Sequence, residues 1–318
     1  MISLISEKLK QNKIKFSNLK FLTGDASPRR YFLLNYRNRR SILMYDDDPE
    51  NLLKYINLSK NLNNIVSVPK IFMNLKEESI VILENFKTKY SEILHNKNRK
   101  KLYKLALDAL IQIHDRDLDF KLPKYSKDIF LGESNLFFEW YLKTKKNKEE
   151  IFEIKSSFNS LFNNYLKKVF LLPKVFIHRD YHVDNLFYLS QRESHLRCGW
   201  IDYQDALVGP CVYDLVSLTQ DARIDVEKEI EEELIENYLE KFRLINKDLF
   251  LFSYTVIAIQ RHLKVLGIFS RLATRDKKTI YLQFLPRVKK LLLKNLQVKE
   301  FFPLLKIIKP LLDIQNDK

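Results

Sequence analysis

The sequence is short of the residues from which several common functional sites are built. Its two cysteines, Cys198 and Cys211, are too few and too ill-spaced for a metal knuckle or a disulfide framework, so both are expected to be reduced thiols. The polar turn best placed to cradle an anion, Thr23 to Ser27, contains one glycine, Gly24, and makes a poor glycine-rich loop. No apolar run approaches the length of a membrane span. The N-terminus, Met1 to Glu7, lacks the basic start and long apolar core of a signal peptide. A cytoplasmic protein with no membrane partner is expected. Repeats, low-complexity tracts and a flexible linker are also missing.

What is present reads as globular. An apolar content of 46% with 13% aromatic excludes a disordered chain, and 318 residues suit one large or two modest domains. Two lobes are expected, over residues 1–85 and 86–318. The net charge of +15 points to a nucleic-acid partner or to an anionic substrate. No recognisable nucleic-acid module accompanies the basic residues, which favours the substrate.

The most informative stretch runs from Val175 to Asn185 and is answered downstream by Trp200-Ile201-Asp202-Tyr203. An apolar run delivers His178-Arg179-Asp180 into a loop, Asn185 follows five residues after Asp180, and a second apolar run ends in Asp202. That is the order of a phosphotransferase catalytic loop and its metal-binding aspartate. Phosphoryl transfer needs a carboxylate to orient the acceptor hydroxyl and take its proton, the place of Asp180. It also needs hard oxygen ligands for Mg²⁺, which Asn185 and Asp202 offer. His178 is expected to brace the loop. The alternative is a buried strand followed by an ordinary polar turn; the downstream strand ending in Asp202 argues against it.

Around this centre, residues 2–10 read as an amphipathic helix, and an aromatic strand follows the Thr23 to Ser27 turn. Ser27 and neighbouring amides are expected to lie over phosphates, unless the segment is a plain hairpin turn. Ser41 to Met44 reads as a strand, Pro49 to Leu62 as a helix, and Pro69 to Met73 and Ile80 to Leu83 as strands, the last ending at Glu84. Helices are expected from Asn98 to Arg116, Glu133 to Lys143 and Glu149 to Phe170, and the chain is helical beyond Val226. Glu139, Trp140 and Tyr141 read as core packing or substrate contact. Leu186 to Leu189 and Leu196 to Ile201 read as a hairpin, and Gln204 to Pro210 as a loop. Asp214 either accepts backbone hydrogen bonds from the catalytic loop or is a helix-start carboxylate.

With these residues in view, the sequence resembles the aminoglycoside phosphotransferase family of protein-kinase-like enzymes. His178, Asp180, Asn185, Ile201, Asp202 and Tyr203 match its His-x-Asp, Asn and Ile-Asp-aromatic pattern. Further blocks, at Gly24 to Ser27, Arg30 to Phe32, Glu139 to Tyr141, Gln220 to Arg223, Gln260 to Phe269 and Leu285 to Val288, are most similar to the branch of anomeric kinases of N-acetylmuramate and N-acetylglucosamine. The resemblance implies an α+β, bilobal protein-kinase-like fold. It has a small N-terminal lobe with a five-stranded antiparallel sheet and a large, mostly helical C-terminal lobe, with ATP and Mg²⁺ between them. It implies Asp180 as base, Asn185 and Asp202 as metal ligands, and a hinge after Leu83, where Glu84 is either a nucleotide contact or a solvated strand end.

The strand that usually carries a phosphate-binding lysine reads Ser41-Ile42-Leu43-Met44, so Arg29 or Arg30 is expected to take that role. Tyr45 stands where the sugar-kinase branch has an Asp, with Asp46 next, which puts any role for that acid in doubt. Asp205, Arg261 and His262 are expected on the acceptor side, unless the last two only brace their helix against Asp205. The expected activity is ATP-dependent phosphorylation of a sugar hydroxyl. The alternatives are another hydroxylated metabolite, such as an amino alcohol or an aminoglycoside, and a non-catalytic nucleotide- or RNA-binding protein. Intact Asp180, Asn185 and Asp202 argue against the last.

Overall fold

The computed structural model describes residues 1–22, 29–95, 97–143 and 146–313. Two compact units are present, Met1–Phe120 with Val183–Asp205, and Lys121–His182 with Ala206–Lys318. The first opens on α1 (Ile2–Gln11), whose Ile5 and Leu9 recur on one face and are buried. Strands β1 (Phe16–Leu22), β2 (Arg30–Tyr36) and β3 (Arg39–Tyr45) follow, then α2 (Pro49–Leu62), β4 (Ile71–Leu75) and β5 (Ile80–Glu84). Helices α3 (Tyr90–Ile93) and α4 (Arg99–His114) complete the first segment.

The five strands form one antiparallel sheet in the order β1-β2-β3-β5-β4. The β2–β3 hairpin turns on Arg37 and Asn38, left-handed at φ 50° and 58°, which matches the right-handed twist of the flanking strands. Phe32, Leu34, Leu43 and Ile82 pack with Ile5 and Leu9. At the end of β3, Asp48 caps α2 by accepting from the amides of Glu50 and Asn51, with Pro49 in the first turn.

Next comes α5 (Lys127–Leu136), capped by the Ser126 hydroxyl on the Ile129 amide. It widens into a π turn at Phe137–Tyr141, closed by the Leu142 amide on the Phe137 carbonyl at 3.2 Å. The expected single helix from Glu133 to Lys143 is therefore corrected: its cap lies further upstream and its end is not α-helical. Of the Glu139 to Tyr141 patch, Tyr141 is buried while Glu139 pairs with Lys155 at 2.9 Å. Then come α6 (Lys148–Val169) and β6 (Lys174–Ile177).

The chain passes to the first unit for a hairpin, β7 (Leu186–Tyr188) and β8 (Cys198–Trp200). The Trp200 amide donates to the Ser67 carbonyl at 2.7 Å and the Tyr188 amide to the Thr88 carbonyl at 2.8 Å. These long-range bonds are why the compact units differ from the expected division at residue 85.

The second unit resumes with β9 (Leu207–Pro210), α7 (Tyr213–Thr219), α8 (Lys228–Lys241), α9 (Lys247–Thr274), α10 (Leu285–Leu296) and α11 (Phe302–Ile308). β9 lies in the segment expected to be a loop. It pairs antiparallel with β6, Ile177 opposite Leu207, a partnership between distant stretches that local pattern does not announce. By length and composition α9 is apolar enough to cross a membrane, contrary to the expectation that no run approaches that length, but 67% of its apolar window is buried inside the protein. It serves as a core helix.

Gly267 is where α9 meets the end of α5. A Cβ there would lie 2.3 Å from the Leu136 carbonyl carbon and 2.4 Å from its oxygen, both backbone atoms that have no rotamer to yield. Gly267→Ala is expected to lower the unfolding free energy by about 2–3 kcal/mol, the upper end for overpacking. Urea denaturation of wild type and variant measures this; coincident midpoints would show that the two backbones separate at no cost.

Candidate active site

In the first unit, Asn185 directly precedes β7 and Asp202 lies just beyond β8. The register pairs Leu186 with Trp200, and the Ile201 amide donates to the Asn185 carbonyl at 3.1 Å, so both residues stand at the same open end of the hairpin. Asp202 is exposed and left-handed at φ 63°, a conformation that Asp tolerates better than most residues. Gln204 Nε2 donates to its Oδ1 at 2.8 Å. Gln204 also reaches Asp205, exposed on the same loop, at 3.4 Å.

Of the two candidate arginines, the fold separates one from the other. Arg29 is buried, and its Nε donates to Asp46 Oδ2 at 2.7 Å, both side chains being almost fully out of solvent. Burial pulls its pKa down, but the hydrogen bond to Asp46 and the neighbouring Tyr31, Asp46 and Asp202 raise it further, so Arg29 stays a cation. It also lies over the Tyr55 ring at 5.9 Å, and Tyr55 stacks on Tyr203, which immediately follows Asp202. Arg30 instead reaches the Met1 sulfur at 3.5 Å. Met44, in place of the absent lysine, is fully buried. Glu84 spends its carboxylate on Arg192, at 2.9 and 2.8 Å, and on the Lys70 amide at 3.2 Å, which makes it a strand-end anchor. Ser27 lies outside the described residues.

In the second unit, β6 delivers His178-Arg179-Asp180. Asp214, at the start of α7 and fully buried, accepts from the His178 amide at 2.5 Å and the Arg179 amide at 3.0 Å. Both donors are backbone amides of the loop that follows β6. Burial pushes Asp214 up to about 7 against the pull of those amides and of Arg261. His178 is buried with its ring edge-on to Tyr181, a brace for the loop. Arg179 is left-handed at φ 76°, a conformation that costs a non-glycine residue about 1–3 kcal/mol and persists only where neighbours over-determine it.

Burial would raise the pKa of Asp180, but the charges of Lys264, Arg261, His178 and Arg179 outweigh it and hold the carboxyl below its usual range. It is a carboxylate at neutral pH.

The two residues of α9 expected on the acceptor side have partners within the protein. Arg261 donates Nη1 to the Arg179 carbonyl at 2.8 Å and Nη2 to Ser217 Oγ at 2.5 Å, and lies over the Tyr213 ring at 4.7 Å; it supports the loop. His262 faces the core, where its Nε2 bonds Gln220 Oε1 at 2.9 Å, and burial pushes its pKa down to about 3. Two residues were given no role by the sequence reading, Glu133 and Lys264, and Asp46, whose role was in doubt, is the partner of Arg29. Lys264 lies between Leu263 and Val265 on an otherwise largely apolar α9 and is buried, and a buried lysine requires a partner. Its Nζ donates to Glu133 Oε1 at 3.0 Å.

The donors at the hairpin end suit a magnesium ion. Among the described residues no cluster of three or more His, Cys, Asp or Glu exists. A carbonyl and a carboxylate are the hard, incomplete set that fits a cation arriving with phosphates.

Residues 18–248 match the phosphotransferase enzyme family. Among curated proteins, an N-acetylmuramate/N-acetylglucosamine kinase of Neisseria meningitidis serogroup B is 32% identical over 85% of this chain and 83% of its own. The protein of the same name from Pseudomonas aeruginosa is 32% identical over 83% and 80%. Among solved structures, ADP-bound aminoglycoside phosphotransferase APH(2'')-Ib superposes with a TM-score of 0.61 at 16% identity, covering 91% of this chain and 96% of that one. A choline kinase from Streptococcus pneumoniae gives 0.64 at 14%, covering 92% and 98%. These structural likenesses concern the fold alone, and it is the protein-kinase-like fold expected from sequence.

Proposed function

The chain belongs to the phosphotransferase enzyme family, and from that premise we propose that it is an ATP-dependent kinase that phosphorylates the anomeric hydroxyl of N-acetylmuramate and N-acetylglucosamine. The observation that carries the sugar assignment is the likeness to kinases of that name over more than four-fifths of the chain. ATP is the phosphoryl donor and a small-molecule hydroxyl the acceptor. We place the reaction in the cytoplasm, where ATP is made.

In this reading Asp180 orients the acceptor hydroxyl and takes its proton as the oxygen bonds to the γ-phosphorus and ADP departs with the bridging oxygen. An anomeric hydroxyl is more acidic than an ordinary alcohol, so one carboxylate whose pKa lies low suffices. Asn185 and Asp202 would hold Mg²⁺, which when bound neutralises and aligns the phosphate oxygens. Arg29, close to Asp202 and fixed by Asp46, supplies the cation that the strand at Met44 lacks. Asp214 and Arg261 hold the loop that carries the base.

The test incubates the protein with Mg-ATP and each sugar, with choline and an aminoglycoside as competing acceptors, and records phosphorus-coupled proton NMR at the anomeric position. Coupling there is the expected result. Phosphate at C6 would overturn the anomeric assignment, and transfer only to a non-sugar would overturn the sugar assignment. Asp202→Ala is expected to raise the Mg²⁺ concentration for half-maximal rate by about tenfold or more, because it deletes the charged ligand. Superimposable Mg²⁺ titrations of variant and wild type would remove Asp202 from that role.

A further inference from the structure

Glu133 lies on α5 and accepts hydrogen bonds from four side chains contributed by three stretches of chain. They are the Tyr125 hydroxyl ahead of the helix, Arg179 Nη2 in the loop after β6, and Gln260 Nε2 and Lys264 Nζ on α9, the last two at 3.2 and 3.0 Å. That fills the acceptor capacity of a carboxylate. Burial would raise its pKa, but Lys264, Arg179 and the Tyr125 hydroxyl hold it below the usual range, so it is a buried anion. A partly buried ion pair is weak evidence of a stabilising role, which leaves open what Glu133 is for.

Arg179 supplies the answer. Its amide donates to Asp214, its carbonyl accepts from Arg261, and its guanidinium pairs with Glu133, so main chain and side chain are gripped at once. The residue so gripped is the left-handed one, and Asp180 is next in the chain. Asp214 and Arg261 act on the peptide groups, which alone leave the side chain free to rotate. Glu133 pairs with the guanidinium of that side chain, which also lies over the Tyr125 ring at 5.7 Å.

We propose that Glu133 is a positioning residue for the base: by holding the Arg179 guanidinium, with Lys264 sharing the same carboxylate oxygen, it keeps Arg179 left-handed and thereby sets the direction in which Asp180 leaves the loop. The inference rests on the reading of Asp180 as the base. It assigns the acidic member of the cluster to neither acceptor binding nor proton transfer.

Glu133→Gln in the full chain keeps the side-chain length and removes the charge. Amide hydrogen exchange in the peptide covering Ile177 to His182 is expected to speed up by about tenfold while α6 and α10 stay unchanged. With Mg-ATP and the sugar, kcat is expected to fall by about 10- to 100-fold with KM for ATP within about twofold, the split that misplacement of a base produces. The double variant Glu133→Gln, Arg179→Gln should be no slower than the slower single variant, since both cut one link. Unchanged exchange in the loop, faster exchange throughout the unit, a kcat within about twofold of wild type, or additive losses would each overturn the proposal. Should Glu133→Gln not fold, Arg179→Gln cuts the same link from the other side and carries the same criteria. Exchange needs no acceptor, so a wild-type protein that phosphorylates neither sugar would sink the sugar-kinase reading while the exchange data still decide the role of Glu133.

Discussion

Asp180→Asn is expected to lower kcat by about a thousandfold while leaving ATP affinity within a few-fold of wild type. The change is isosteric and removes the one capacity that the mechanism asks of this position, to accept a proton. The magnitude is that of a general base, whose removal leaves positioning and phosphate stabilisation in place. Some stability is lost as well, and its sign follows from the low pKa. A carboxyl whose pKa falls on folding stabilises the fold above its unfolded value of about 3.9, and that contribution disappears as pH falls through the folded value. The variant should therefore melt below wild type at neutral pH and converge on it in strong acid. Steady-state kinetics, ATP calorimetry and melts at neutral and acid pH check the three parts. A variant within tenfold of wild-type kcat would mean that the acceptor's proton goes elsewhere.

Arg29→Ala is expected to be the more damaging change to the first unit, in contrast to Arg30→Ala. Removing Arg29 strands the Asp46 carboxylate in a buried site, at a cost of about 3–5 kcal/mol when an internal pair loses one member. It also removes the cation beside Asp202, so kcat/KM for ATP should fall by about a hundredfold. Arg30, whose guanidinium meets the Met1 sulfur, should lose less than about twofold on truncation. The double variant Arg29→Ala, Asp46→Ala separates the two roles, because deleting both charges relieves the buried anion without restoring the cation. Recovered stability with ATP use still impaired is the expected result. If ATP kinetics recover together with stability, Arg29 serves the fold alone; equal losses at Arg29 and Arg30 would refute the distinction.

The order of His178, Asp180, Asn185 and Asp202 along short apolar runs is legible in the sequence because it is a local property. Asn185 and Asp202 flank the two strands of one hairpin, and there the spacing of the runs fixes which residues share an end. For the same reason the α1 face and α2 with its Pro49 start were readable from period and helix-start chemistry. Two readings of Asp214 were open in the sequence, and the backbone bonds it accepts support the loop-bracing one.

What only the tertiary structure decided is which polar groups meet. Arg29 and Arg30 are neighbours in the sequence, and nothing local says that one of them meets Asp46. His262 and Arg261 sit side by side in a segment that resembles sugar kinases, and packing turned one to Gln220 and the other to the Arg179 carbonyl. Glu133 and Lys264 are far apart in the chain and find each other only where α5 and α9 pack closely, the contact that Gly267 permits. Apolar burial is dictated by periodicity, which one segment carries by itself. The partner of a buried charge is contributed by another segment, and is settled only when the helices have found their crossing.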